Sequence, residues 1–409
     1  VKIIILSHAY VVPSNRRVCE RLAELYPETR VTVIVPSRWV TDRYGPSLTY
    51  SAEGEHHNNS EVLPLPLSKG HFQRYVGLSR ALKEREPDIF YVAQERYGWS
   101  TLWALSTCKL ILPQAITIGA STVNIEYRLK WLHHVAKERL FFKLCDSIIA
   151  MNSEAADLLK QHGYRKPTMV RHEVGADEEK WRPPEQPLPS KPFVIGYVGT
   201  LSKEKGVDDL IRAAANLRGD WRLNLIGDGP ERKDLEGLVQ DLRLSDRVDF
   251  AGYCPRETVM QRMPALHVLV LPSRTTPTWK EQFGLVLVEA MLSGVAVIGS
   301  DSGAIPEVIG DGGLIFPEGN IPALADRLQQ LLDDPARLRE LAGRGRQRAL
   351  NHYSTTALAT QFYSFCVELL SSHHRNKDAH SSDRSPCPPA RRPGNLWPGY
   401  WAVAEAARP

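Results

Sequence analysis

The chain repeats one pattern twice: short, β-branched apolar runs alternate with amphipathic helical stretches, first over residues 2–162 and again over 193–332. In the first half, residues 2–7, 31–36, 89–94, 116–120 and 148–152 read as strands, with helices at 17–25, 77–84, 99–105, 131–145 and 154–162. In the second, strands are expected at 193–198, 222–226, 248–251, 268–271, 295–300 and 314–316, with helices such as 208–217 and 322–332. The strand runs are apolar throughout rather than alternating, the pattern of strands buried on both faces of a parallel sheet. Between the halves, residues 181–192 hold five prolines. Proline fixes φ and removes a backbone donor, so nothing regular survives that density.

At 409 residues the chain exceeds one comfortable core, and the pattern predicts an α/β protein of two doubly wound, Rossmann-like domains facing a cleft. The expected divisions are a first domain at 1–175, a linker at 176–192, a second domain at 193–352 and a closing helix at 353–372. Residues 373–409 are polar and rich in Pro and Arg, and read as a disordered tail.

Composition removes several classes. A net charge of +4 is too small to argue for nucleic acid. Cys19, Cys108, Cys145, Cys254, Cys366 and Cys387 include no Cys-x-x-Cys pair, which points to free thiols in a reducing compartment. No apolar run reaches membrane-spanning length, and the first apolar run ends at His8 and Pro13 as a strand would. A cytoplasmic location is expected. The stretch 128–143 is basic and amphipathic, suited either to peripheral contact with an anionic membrane or to an ordinary helix with solvated charges.

The stretch that carries most chemistry is Lys280-Glu281-Gln282-Phe283-Gly284-Leu285-Val286-Leu287-Val288-Glu289-Ala290. Backbone N–H groups at a helix start attract negative charge, and a carboxylate on each side can accept hydroxyl hydrogen bonds. That combination suits a diphosphate with a sugar at either end. Glu289 lies among Leu285, Val286, Leu287, Val288, Ala290 and Met291, so it has almost no polar face and needs a partner. The second half opens with Gly196-Tyr197-Val198-Gly199-Thr200-Leu201-Ser202-Lys203-Glu204-Lys205-Gly206. A strand, a glycine turn and a Lys-Gly pair ahead of a helix carry the Lys205 ammonium to the strand ends, where it can neutralise a phosphate or simply be solvated. Gly227-Asp228-Gly229-Pro230 and Ser302-Gly303-Ala304-Ile305-Pro306-Glu307 are tight turns, with Glu307 placed to cap a helix.

Six motifs in order, at Gly199 to Gly206, Gly227 to Pro230, Val248 to Gly252, Leu271 to Ser273, Glu281 to Glu289, and Gly303 to Val308 with Gly312-Gly313-Leu314, resemble the retaining glycosyltransferases of family 4, which have the GT-B fold and include bacterial polysaccharide and glycolipid enzymes. The resemblance runs from residue 1 to about 370. It implies a metal-independent transferase without cofactor that moves a sugar from a UDP- or GDP-linked donor to a saccharide or glycolipid acceptor. It implies that Lys205, beside Gly199 and Thr200, holds the donor diphosphate. The backbone of Phe283, Gly284 and Leu285 would bind phosphate and sugar, Glu281 the sugar hydroxyls, Glu289 the ribose, and Tyr253 the base. Lys205 and Glu281 are then the residues on which catalysis rests.

Two positions depart from the family pattern. Thr200 stands where an arginine is usual, and no histidine follows the 116–118 strand, where Asn124 stands instead. An amide donates a hydrogen bond but takes no proton. On the acceptor side, Asn124 and Arg16 are the candidates, Arg16 against the alternative of an ordinary ion pair. The departures keep open an inactive nucleotide-sugar-binding subunit, and the scaffold also admits an epimerase or hydrolase. A dinucleotide-dependent oxidoreductase is disfavoured, because neither first strand leads into Gly-x-Gly-x-x-Gly. With no Asp-x-Asp at a strand end and no His/Cys cluster, no metal is implied.

Overall fold

A computed structural model describes residues 1–41, 48–69, 72–125, 132–186, 188–189 and 191–382. The first half forms an eight-stranded sheet in the order Thr168–Val170, Ser147–Ala150, Ile116–Ser121, Ile89–Val92, Lys2–Leu6, Arg30–Pro36, Ser60–Leu65 and Glu55–His57. Every pairing is parallel except the last, a hairpin edge. The second half forms an all-parallel sheet in the order Val248–Gly252, Trp221–Ile226, Phe193–Val198, Val268–Leu271, Ala296–Ser300 and Leu314–Phe316. In both sheets the first strand in sequence lies inside, and the chain winds outward from it in two directions. Ligands of such sheets bind at the carboxyl ends of the strands where winding reverses. In the second sheet that point lies between Phe193–Val198 and Val268–Leu271, so the segments leaving these strands, toward Lys205 and toward Glu281, flank one crevice.

The strands form as expected because both faces are covered. Ile3, Ile4, Ile5 and Leu6 are at most 3% exposed, as are Leu269, Val297 and Ile298. Strand Ser60–Leu65 was not legible in the sequence, because Pro64 argues against a strand interior. The structure resolves this through the edge hairpin. Glu55–His57 pairs only with residues 60–62, so Pro64 faces one neighbour, Val35, and needs no N–H on its open side. The short strands Arg38–Thr41, Leu48–Ser51 and Thr168–Val170 were also unforeseen.

Two expectations shift at the chain's far end. The closing helix runs Thr355–Ser382, so the polar residues from 373 to 382, expected to be disordered, are helical. Residues 383–409 lie outside the described residues, as do 126–131 of the basic stretch; its helix is Leu132–Leu144. From Glu368 the chain counts as a separate unit whose described part is the end of that closing helix. Among the described residues no helix is long and apolar enough to cross a membrane.

After the edge strand Thr168–Val170 the chain turns back across the carboxyl ends of the first sheet. Arg171 N–H bonds the Ala150 carbonyl, and two residues on the Ser7 hydroxyl reaches Glu173 Oε1 at 3.4 Å, beyond the central strand Lys2–Leu6. Tyr10 donates to the Glu173 carbonyl at 3.3 Å. Exclusion of water pushes the Glu173 carboxyl up to about 8, against the opposing pull of Arg171. A carboxyl raised in the folded state stabilises the fold below its ordinary value near 4.5, and that stability drains away as pH climbs through about 8. Glu173→Gln removes the titration. The melting temperature of the variant, relative to wild type, is therefore expected to rise steadily between pH 5 and pH 8.5; a difference independent of pH contradicts the assignment.

Candidate functional site

The site is built around Glu281. Its carboxylate, 8% exposed as a residue, accepts from the Lys205 ammonium at 2.8 Å and from the Ser273 hydroxyl at 3.0 Å, both through Oε2. Lys205 arrives on the turn Lys203–Lys205 after the strand Phe193–Val198, and its Nζ also sits 4.5 Å over the Trp279 ring. Gly206 makes this placement possible. Its φ is +63°, and a Cβ there would meet the Pro272 carbonyl oxygen at 2.2 Å, so the lysine turn lies directly on the segment that leads to Glu281. Trp279 is presented by a turn in which Thr276 and Trp279 bond each other's backbone.

Beyond Glu281 the helix Leu285–Leu292 begins. Gly284 caps it in the left-handed region, φ +80°, and no side chain caps this end or places an acid in its first turn. With Glu281 and Lys205 beside it, this uncapped start presents backbone donors and a positive dipole end to the crevice. Phe283 is 5% exposed, and Thr200 lies in the neighbouring turn, its carbonyl accepting from Tyr197 Oη at 2.7 Å. Gly199, with φ +155°, opens that turn. Tyr253 stands apart, 58% exposed, at the end of the strand Val248–Gly252.

First-domain side chains hold the same segment from across the cleft. Asn124 Nδ2 donates to the Glu281 carbonyl at 3.1 Å and to Glu154 Oε2 at 3.2 Å, and Asn152 Nδ2 donates to the Gln282 carbonyl at 2.7 Å. Lys280 pairs with Glu154 at 2.6 Å, and His172 stacks on Phe283 at 3.7 Å with the rings nearly parallel. Burial pushes the His172 imidazole down to about 4, so at neutral pH this stack is between uncharged rings. Glu307, expected to cap its own short helix Ile305–Ile309, instead accepts at 2.9 Å from the Ser153 N–H at the start of helix Ser153–Gln161. It caps a helix of the other domain.

Glu289 is buried, 7% exposed, as the apolar composition of its helix requires. The partner it needs is Arg256, whose Nη2 lies 2.5 Å from Oε1. Burial pushes the Glu289 carboxyl up to about 7, with Arg256 pulling it back. The sequence announced that a cation was required but not which one: Arg256 comes from the helix Arg256–Arg262, thirty-three positions away. Ser273 stood within a recognised motif without an assigned role, and Trp279 was missed. Arg16 is placed differently from the acceptor-side expectation. It is 2% exposed and its Nη2 lies 2.8 Å from Glu55 Oε2, inside the first domain. Among the described residues no hydrogen bond or ion pair joins it to Lys205 or Glu281. His134 packs edge-on against Tyr97.

Two doubly wound parallel sheets, with the Lys205–Glu281 pair at the winding reversal of the second, make up the GT-B fold. Over 90% of its length the chain superposes on HepE of Anabaena in complex with UDP, covering 100% of that chain, with a TM-score of 0.66 and 21% identity. It is 28% identical over 308 residues to the 2-deoxystreptamine glucosyltransferase of Streptomyces kanamyceticus, covering 67% of this chain and 78% of the relative. To the alpha-D-kanosaminyltransferase of the same organism it is 35% identical over 187 residues, covering 44% of this chain and 47% of that enzyme. Residues 177–348 match the family described as glycosyl transferases group 1.

Asn152 both caps helix Ser153–Gln161, accepting from Ala155 N–H at 2.8 Å, and bonds Gln282 across the cleft. Asn152→Ala is expected to lower unfolding free energy by about 1–3 kcal/mol, a cap plus a partly buried hydrogen bond. Denaturant unfolding checks this, and a loss within ±0.3 kcal/mol, roughly that of an ordinary surface change, contradicts it.

Proposed function

We propose that the protein transfers a sugar from a nucleoside-diphosphate sugar to a saccharide or lipid-linked acceptor, with retention at the anomeric carbon. The observation that carries this reading is the Lys205–Glu281 pair standing beside the uncapped helix start at Gly284. A diphosphate entering there meets an ammonium and a row of backbone donors, while the Glu281 carboxylate is left to accept sugar hydroxyls. HepE, of like fold, holds UDP in its structure, which supports a uridine diphosphate donor.

In this mechanism the first barrier is departure of the diphosphate. Lys205 and the first-turn N–H groups stabilise the charge that develops on the leaving oxygen, preorganised and largely shielded from water. Glu281 orients the sugar, Glu289 accepts from the ribose, and Tyr253 lies against the base. The acceptor approaches from the first domain on the face the diphosphate leaves, which gives retention without an enzyme nucleophile. Asn124 holds the Glu281 main chain in place, so its part is to fix the sugar-binding carboxylate relative to the acceptor wall. Exposed Arg139, Leu140 and Lys143 on helix Leu132–Leu144 suit the lipid-linked branch of this reading, a basic and apolar surface for an anionic membrane.

One observation favours a second reading. The Asn124 amide is spent on the Glu281 carbonyl and Glu154, and an amide takes no proton, which fits a subunit that binds nucleotide sugar for a partner transferase. Such a subunit binds UDP but gives no turnover with any acceptor.

Lys205→Ala is expected to weaken UDP binding at least tenfold by calorimetry, since it removes a charge-assisted bond worth about 1.5–3 kcal/mol. Unchanged affinity removes Lys205 from the diphosphate site. Glu281→Gln is expected to cut turnover by two orders of magnitude or more while changing UDP affinity only a few fold. Turnover equal to wild type excludes Glu281 from the sugar site.

A further inference from the structure

Arg256 belongs to none of the motifs that define the site, yet it holds the one buried carboxylate those motifs assign to the ribose. Its Nη2 meets Glu289 Oε1 at 2.5 Å, and its guanidinium lies over the indole of Trp181 at 5.7 Å. Trp181 is 1% exposed and opens the Pro-rich linker, so it is a fixed surface against which the guanidinium is set. The charged groups on the other elements packed around the helix are committed elsewhere. Arg346 bonds the Leu292 carbonyl, Arg348 bonds the carbonyls of Glu307 and Val308, and the Glu307 carboxylate bonds Ser153. Among the described residues, Arg256 alone pairs with Glu289.

We propose that Arg256 is a positioning residue for nucleotide recognition: clamped between Trp181 and Oε1 of Glu289, it fixes the carboxylate so that Oε2 accepts the ribose hydroxyls. This rests on the reading of Glu289 as the ribose ligand. A carboxylate this far from water favours its protonated form, which offers fewer acceptor sites to a diol. Burial holds the group up near 7, and Arg256 is the opposing influence that keeps a substantial fraction ionised at neutral pH. Without the guanidinium the ionisation moves upward, and with it the pH at which the ribose is recognised.

The test compares a nucleoside diphosphate, UDP or GDP according to which binds wild type, with its 2′,3′-dideoxy counterpart by calorimetry between pH 6 and pH 9. The phosphate titrates alike in both ligands, so the ratio of their dissociation constants isolates the ribose. In wild type the preference for the ribose form is expected to rise with pH, with a midpoint near 7. In Arg256→Met that midpoint moves up by a unit or more, and the preference at pH 7 falls about fivefold or more, as a one-unit rise takes the ionised fraction from about a half to about a tenth. Arg256→Lys restores much of it, and Glu289→Gln gives a low, pH-independent ratio. If Arg256→Met weakens both ligands equally with no change in ratio, or leaves the profile unmoved while Glu289→Gln loses the preference, the proposal is overturned and the ribose reading stands. If Glu289→Gln keeps the full preference, the ribose reading itself falls and the proposal with it.

Discussion

The structure turns on the ion pair between Lys205 and Glu281. The two side chains are 21% and 11% exposed, so their charges lie mostly out of water, where an uncompensated one is costly. Pairing satisfies both and fixes where the two segments leaving the second sheet meet. Everything nearby conforms to that meeting point. Gly206 lets the lysine turn rest on Pro272, Ser273 supplies a further donor to the carboxylate, and Trp279 covers the ammonium. On the proposed function, a diphosphate competes with Glu281 for the lysine, and a polyhydroxylated group competes with the lysine for Glu281.

The same segment joins the two domains. Residues 280–283 receive Glu154, Asn124, Asn152 and His172 from the first domain in sequence order. Two of these contacts go to main-chain carbonyls, which fixes the backbone without restricting the side chains that project into the crevice. Glu281 is thus registered against the first domain through its own main chain.

Much of this was legible in the sequence, for identifiable reasons. Parallel strands buried on both faces leave continuous apolar runs, so the central strands were found within a residue or two. Lys205, Glu281 and the helix start lie at strand ends, where a doubly wound sheet gathers ligands, and their local patterns of Gly, Lys and Glu carry that placement. The outer strands of the first sheet were not legible, since Pro64 is compatible with a strand only when one neighbour is missing, and that is a tertiary fact. Partners distant in sequence were hidden for the same cause. Nothing local to Arg256 shows that it answers Glu289, and nothing local to Arg16 shows that it pairs with Glu55. The pattern also missed the continuation of the closing helix to Ser382, because composition rich in polar residues describes solvent exposure rather than backbone conformation.

The most direct test of the account is a crystal structure with UDP bound in the cleft. The account predicts that Lys205 Nζ leaves Glu281 Oε2 for an oxygen of the diphosphate, that the phosphate sits against the backbone of Gly284 and Leu285, and that Glu281 opens toward the sugar side. A diphosphate bound elsewhere in the cleft, with the Lys205–Glu281 pair intact and the helix start empty, would contradict it.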